Sequence, residues 1–169
     1  AINESVGGGT VQIANGTYFE NIQWPLTQGI SLIGSSMDST IIDGGGAGKV
    51  IDNSDDTSHP KEISNLTIQN GYTTGKGGGI SLKMTGEILL KNIRVKNNQA
   101  NFGGGIHIEG EGSLSFVQTV VHIENAIISN NNATSSDGVI DLYGDFISSV
   151  IKNSTIVNNS SVNGGGGLD

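Results

Sequence analysis

Several stretches of this 169-residue chain carry residue types that can do chemistry. Glycine-rich runs stand at "GGGAGKV" (44–50), "KGGGISLK" (76–83), "NFGGGIHIEG" (101–110) and "GGGGLD" (164–169). A glycine loop that enters an ordered element is one way to cradle phosphate. His59, His107 and His122 are residue types that bind transition metals, and Trp24 and Tyr18 offer flat faces for stacking a sugar ring. Spacing tests each of these. The nucleotide-loop pattern fails at 44–50, where Asp43 occupies the required first glycine and Val50 replaces the Ser or Thr that would hold magnesium. The histidines are scattered. His107 lies between Ile106 and Ile108 and His122 precedes Ile123, so strand alternation sends both rings outward as surface residues. Trp24, the single tryptophan, stands near the N-terminal strands, where local packing or a place under a cap accounts for it at least as well as sugar stacking. Because the glycine runs recur, and "SDGVIDLY" (136–143) belongs with them, they point to a repeated structural device rather than a phosphate site.

Composition narrows the architecture that could hold such a device. Aromatics make up 5% of the chain and 27 residues are glycine, so the core must be stacked from medium-sized aliphatics. The absence of cysteine excludes disulfides and thiolate metal sites, and is compatible with secretion from bacteria. A net charge of −8 argues against nucleic acid and anionic membranes as partners, both of which attract a basic stripe. No apolar run approaches the roughly 20 residues of a membrane span, so insertion by this segment is not expected. The first residue is Ala1 rather than Met, which raises the expectation of an upstream segment or leader.

Four segments align: "ISNLTIQNG" from 63, "LKNIRVKNN" from 90, "IENAIISNN" from 123 and "IKNSTIVNN" from 151. Each repeats Asn after four intervening residues: Asn65/Asn70, Asn92/Asn97, Asn125/Asn130 and Asn153/Asn158. The glycine device follows, placing Gly79, Gly105, Gly138 and Gly167 just ahead of an apolar alternation. Apolar residues stand two before the first Asn (Ile63, Leu90, Ile123, Ile151) and three after it (Ile68, Val95, Ile128, Ile156). Five residues of unbroken strand would put these two sets on opposite faces. The chain must therefore bend at the Asn, a residue that tolerates left-handed backbone angles. Stacked in register, Asn65, Asn92, Asn125 and Asn153 are expected to form an amide ladder, and the turn glycines a column where side chains would collide with neighbouring repeats. First asparagines 27, 33 and 28 residues apart fit one turn of a parallel solenoid, with the excess of the middle interval read as a loop in "GEGSLSFVQTVV". Residues 1–60 are less regular, 61–169 regular, and the whole reads as one all-β domain. "DNSDDTSHPKE" (52–62) reads as a protruding polar loop.

This organisation resembles the right-handed parallel β-helix, or pectin-lyase-like, superfamily. The stretch "GGGTVQIANGTYFENI…GISLIG…TIIDGGG" is similar to the N-terminal coils of secreted bacterial members, and "NNQANFGGGIHI" to repeats of polymorphic outer-membrane and related surface proteins. The resemblance implies a single-stranded right-handed β-helix of about six coils. Its enzymes cleave polyuronic acids with a carboxylate cluster, often holding calcium, and a basic partner. Here Asp38, Asp43, Asp52, Asp55 and Asp56 are the available carboxylates, with Asp52, Asp55 and Asp56 as the calcium candidates and no other cofactor implied. Asp55-Asp56 resembles the paired aspartates of related hydrolases and "RVK" (94–96) their basic motif, but the other hydrolase motifs are missing. Arg94 and Lys96 flank inward-facing Val95 and should point outward. No catalytic residue is assigned.

The expected function is a non-catalytic extracellular or cell-surface scaffold, adhesin-like or fibre-forming. Its expected partner is a glycan or another surface protein. The alternative is a carbohydrate-active enzyme or glycan-binding module of the same class. The stop at "GGGGLD", as a fourth glycine device enters its strand, adds the expectation of further coils or end-to-end self-association.

Overall fold

The computed structural model describes residues 2–53, 59–111, 118–135, 138–163 and 165–169. Among them the chain is all-β, apart from one short 3-10 turn at Ile2–Glu4, and every strand pairing is parallel. The chain returns repeatedly to three sheets. The largest has ten strands and follows the path Thr10–Ile13, Ser31–Gly34, Glu62–Gln69, Gly86–Lys96, Thr119–Glu124, Ile147–Lys152. A five-stranded sheet contains Ile22–Gln23, Ile51–Asn53, Ile80–Met84, Ile106–Gly110 and Ile140–Tyr143. A short three-stranded sheet holds Gln99–Ala100, Asn132–Ala133 and Ser160–Ser161. This arrangement is compatible with a parallel β-helix.

Register turns the sequence repeat into a core. Leu32, Ile63, Leu90, Ile123 and Ile151 are partners on successive strands. Ile42, Ile68, Val95, Ile128 and Ile156 form a second row, and Ile22, Ile51, Ile80, Ile106 and Ile140 a third. Most of these side chains are fully buried in one apolar cluster. Each passage of the chain contributes only a few aliphatics, and stacking makes them continuous. Branched residues suit this because their χ1 is already restricted and they pack against copies above and below.

Leu90 and Val95 lie five residues apart in the strand Gly86–Lys96, yet both are buried. The bend that permits this is at Asn92, whose φ is 50°. All eight repeat asparagines have φ between 49° and 57°. The strain is small for Asn compared with a branched residue.

Two loop assignments change. Thr119–Glu124 is a strand, so Thr119, Val120 and Val121 belong to the large sheet and not to the inserted loop. Asp52 and Asn53 end the strand Ile51–Asn53 rather than starting a polar loop, and Asn53 is buried. Both are β-pairing decisions imposed by neighbouring strands, which local polarity does not reveal.

Candidate functional site

The asparagines occupy two rows with different environments. In the outer row, the Asn92 amide donates to Asn65 Oδ1 at 2.9 Å and the Asn125 amide to Asn92 Oδ1 at 3.1 Å. Asn153 shares the backbone angle, but no side-chain bond joins it to Asn125 among the described residues. Instead Ser154 Oγ accepts the Ala126 N–H. An inner row that the repeat spacing does not announce consists of the residues after three of the second asparagines, Asn98, Asn131 and Asn159. Asn98 donates to Asn131 Oδ1 at 3.0 Å, and Asn131 to Asn159 Oδ1 at 3.1 Å. Their amides also bond the carbonyls of Ile68, Val95 and Ile128, while Gly71 N–H donates to Asn98 Oδ1. The signal was present as Asn doublets at 97–98, 130–131 and 158–159.

The expected turn glycines meet the next passage of chain at close range. A Cβ on Gly79 would lie 2.6 Å from the Gly105 carbonyl oxygen, and one on Gly138 2.7 Å from that of Gly167. Gly105 is crowded less severely, at 3.2 Å, and Gly167 has open space. The left-handed angles fall two residues earlier, at Gly77 (φ 68°) and Gly103 (φ 57°).

These two glycines explain a departure from the expected surface histidine. His107 does alternate away from the interior row, yet it is 2% exposed. Gly77 and Gly103 fold back over the outer side of the strands, so closely that their Cβ positions would collide with Ser81 and His107 Cβ. Asp52, Ser81, His107 and Asp141 stand in register on four strands, with Ser81 and His107 beneath this roof. His107 Nδ1 lies 2.6 Å from Asp141 Oδ2. With the carboxylate as acceptor, Nδ1–H donates. His107 Nε2 and Ser81 Oγ are buried and have no hydrogen-bond partner among the described residues. Ser, His and Asp thus share a row, but no bond links Ser81 to the imidazole, and the roof shields both. The row lacks the nucleophile–base contact that acyl transfer needs.

The accessible chemistry lies one step outward. Lys83, Glu109 and Tyr143 form the next row in register. Lys76 reaches across it, donating to Glu109 Oε2 at 2.9 Å with its ammonium 4.9 Å from the Tyr143 ring centroid. Lys83 pairs with Glu111. The Lys76 hydrogen bond, then the charges of Lys76, His107 and Lys83, hold the Glu109 carboxyl below its ordinary value of 4.5 despite partial burial. Beside this row lies a depression of about 390 Å³ lined by Glu109, Gly110, Tyr143, Gly144 and Asp145. Tyr143 is 60% exposed at its edge.

The remaining candidates are dispersed. Asp52 pairs with Lys49 at 3.1 Å, while Asp55 and Asp56 lie outside the described residues. Among the described residues no group of three or more His, Asp or Glu side chains could hold a metal ion. Arg94 flanks buried Val95 and pairs with Asp38 at 2.9 Å. Asp43 is buried. Burial by itself would raise its carboxyl, but the Gln69 amide, the Gly45 N–H and the Asn70 amide donate to it, and with Lys96 nearby they hold it below its ordinary 3.8. Trp24 packs in the core, His59 Nδ1 lies 2.9 Å from the Pro60 carbonyl oxygen, and Tyr18 donates to the Ala14 carbonyl. His122 is half-buried on the large sheet. No protein-family model matches the chain, and comparison with curated proteins and with solved structures finds no match either.

Proposed function

We propose that this chain is a right-handed, single-stranded parallel β-helix of about six coils, of the pectin-lyase-like superfamily. In this reading it works without catalysis at the cell surface or outside the cell. It holds its shape and presents its exterior to a glycan or another surface protein. The observation that carries the proposal is continuity of register. Three aliphatic rows and two asparagine rows run from strand to strand, so successive passages of the chain hold one another in place. The exterior supports it as well, because four of the eight bases, the source of the positive charge that lyase chemistry needs, are committed to acids: Lys49 to Asp52, Lys76 to Glu109, Lys83 to Glu111 and Arg94 to Asp38.

The test incubates the protein with pectate, alginate and neutral glycans, with and without calcium, and follows new double bonds and reducing ends. Binding without turnover is the expected outcome. Turnover that disappears in Asp55→Ala or Asp56→Ala would replace this proposal with the carbohydrate-active enzyme, and turnover only in the presence of calcium would make calcium its cofactor.

A further inference from the structure

We propose that the depression beside Tyr143 binds a neutral pyranose ring of a glycan, stacked on the exposed aromatic face and held by the flanking carboxylates. The proposal rests on the presentation reading above and assigns the presented surface a place and a ligand class. Tyr143 supplies a large apolar ring that is 60% exposed, the geometry that suits the C–H face of a sugar. Glu109 and Asp145 bring acceptors for vicinal hydroxyls to the same depression. The Lys76 ammonium, 4.9 Å from the ring centroid and 2.9 Å from Glu109, steadies both groups. Gly110 and Gly144 leave part of the lining as bare backbone, so a ring can approach closely.

Two features bear on the choice of ligand. Glu109 and Asp145 line the depression, and Lys76 is already bonded to Glu109, so a uronate carboxylate would meet like charge there. A neutral sugar meets no such penalty. The turn that carries Asp145 also holds Phe146 at φ 61°, an unfavourable angle for a bulky residue, with its side chain 57% exposed. Core packing does not account for an aromatic kept there.

The experiment titrates the isotope-labelled full chain with cellohexaose, mannohexaose and hexagalacturonate and follows backbone and Tyr143 ring resonances. At least one neutral hexaose should produce saturable shifts centred on Glu109, Tyr143, Gly144 and Asp145. Tyr143→Ala should weaken that binding at least about tenfold, whereas Tyr143→Phe should keep it within about threefold. Both variants should melt with the parent, since the ring is mostly outside the core. Failure of both neutral probes to shift these residues, unchanged binding by Tyr143→Ala, or equal binding of hexagalacturonate at Tyr143 would each overturn the site. Neutral sugar bound elsewhere on the exterior would overturn the site and leave presentation standing. Cleavage of a hexaose bound at Tyr143 would do the reverse.

Discussion

Asn131 takes part in four side-chain hydrogen bonds and is 1% exposed, whereas Asn92, in the outer row, takes part in two and is only partly buried. The Asn131 amide therefore has no water to replace a lost partner. Asn131→Leu would orphan the Asn98 N–H and the Val95 carbonyl together, with a loss of about 3–5 kcal/mol. Asn92→Leu breaks two contacts near solvent and should lose about 1–3 kcal/mol. Asn3→Leu, exposed in the short N-terminal turn, should change little. Urea midpoints of the three variants should follow that order, and equal midpoints for Asn131→Leu and Asn92→Leu would contradict it. The outer row was legible because parity breaks at each first asparagine. The inner row was not, because an Asn doublet reads equally well as a polar turn.

At the scale of elements, the glycine run 77–79 closes one passage of the chain against the next. A Cβ on Gly78 would lie 2.6 Å from two backbone carbonyl oxygens, those of Gln99 and Gly104. Neither oxygen can move without disturbing the strand pairing that follows. Gly78→Ala should therefore destabilise by about 3 kcal/mol or more. Gly75→Ala has only the Thr73 hydroxyl at 3.5 Å and should leave the thermal midpoint nearly unchanged. Similar midpoints for the two variants would remove close packing as the reason for the glycines.

At the scale of the whole molecule, an acidic chain of net charge −8 keeps carboxylates with specific native partners, and this sets its acid response. Asp43 and Glu109 both have carboxyls held below their ordinary values of 3.8 and 4.5. A depressed folded value contributes stability above the unfolded value, and that contribution disappears as pH falls through the folded one. Melting midpoints should therefore drop as pH falls from about 5 to about 3. Asp43→Asn removes one of the two contributions. Its deficit relative to the parent should be largest above about pH 5 and shrink toward pH 3, and a deficit constant across that range would rule out the linkage.

Aliphatic spacing, the asparagine pairs and the glycine runs determined that this chain is all-β and where it must bend. These are local properties, set by alternation and by the backbone angles that Asn and Gly tolerate. Arg94 and Lys96 could be placed outward from the same alternation. His107 could not, because alternation reports only which side of a strand a residue takes, not what lies over that side. Its burial depends on the turn at Gly103, which folds back over it from four residues earlier, and on the Asp141 carboxylate of the neighbouring strand, neither of which alternation encodes. The same holds for the row of Lys83, Glu109 and Tyr143. Each lies on a different strand, and only parallel register across three passages of the chain brings them side by side.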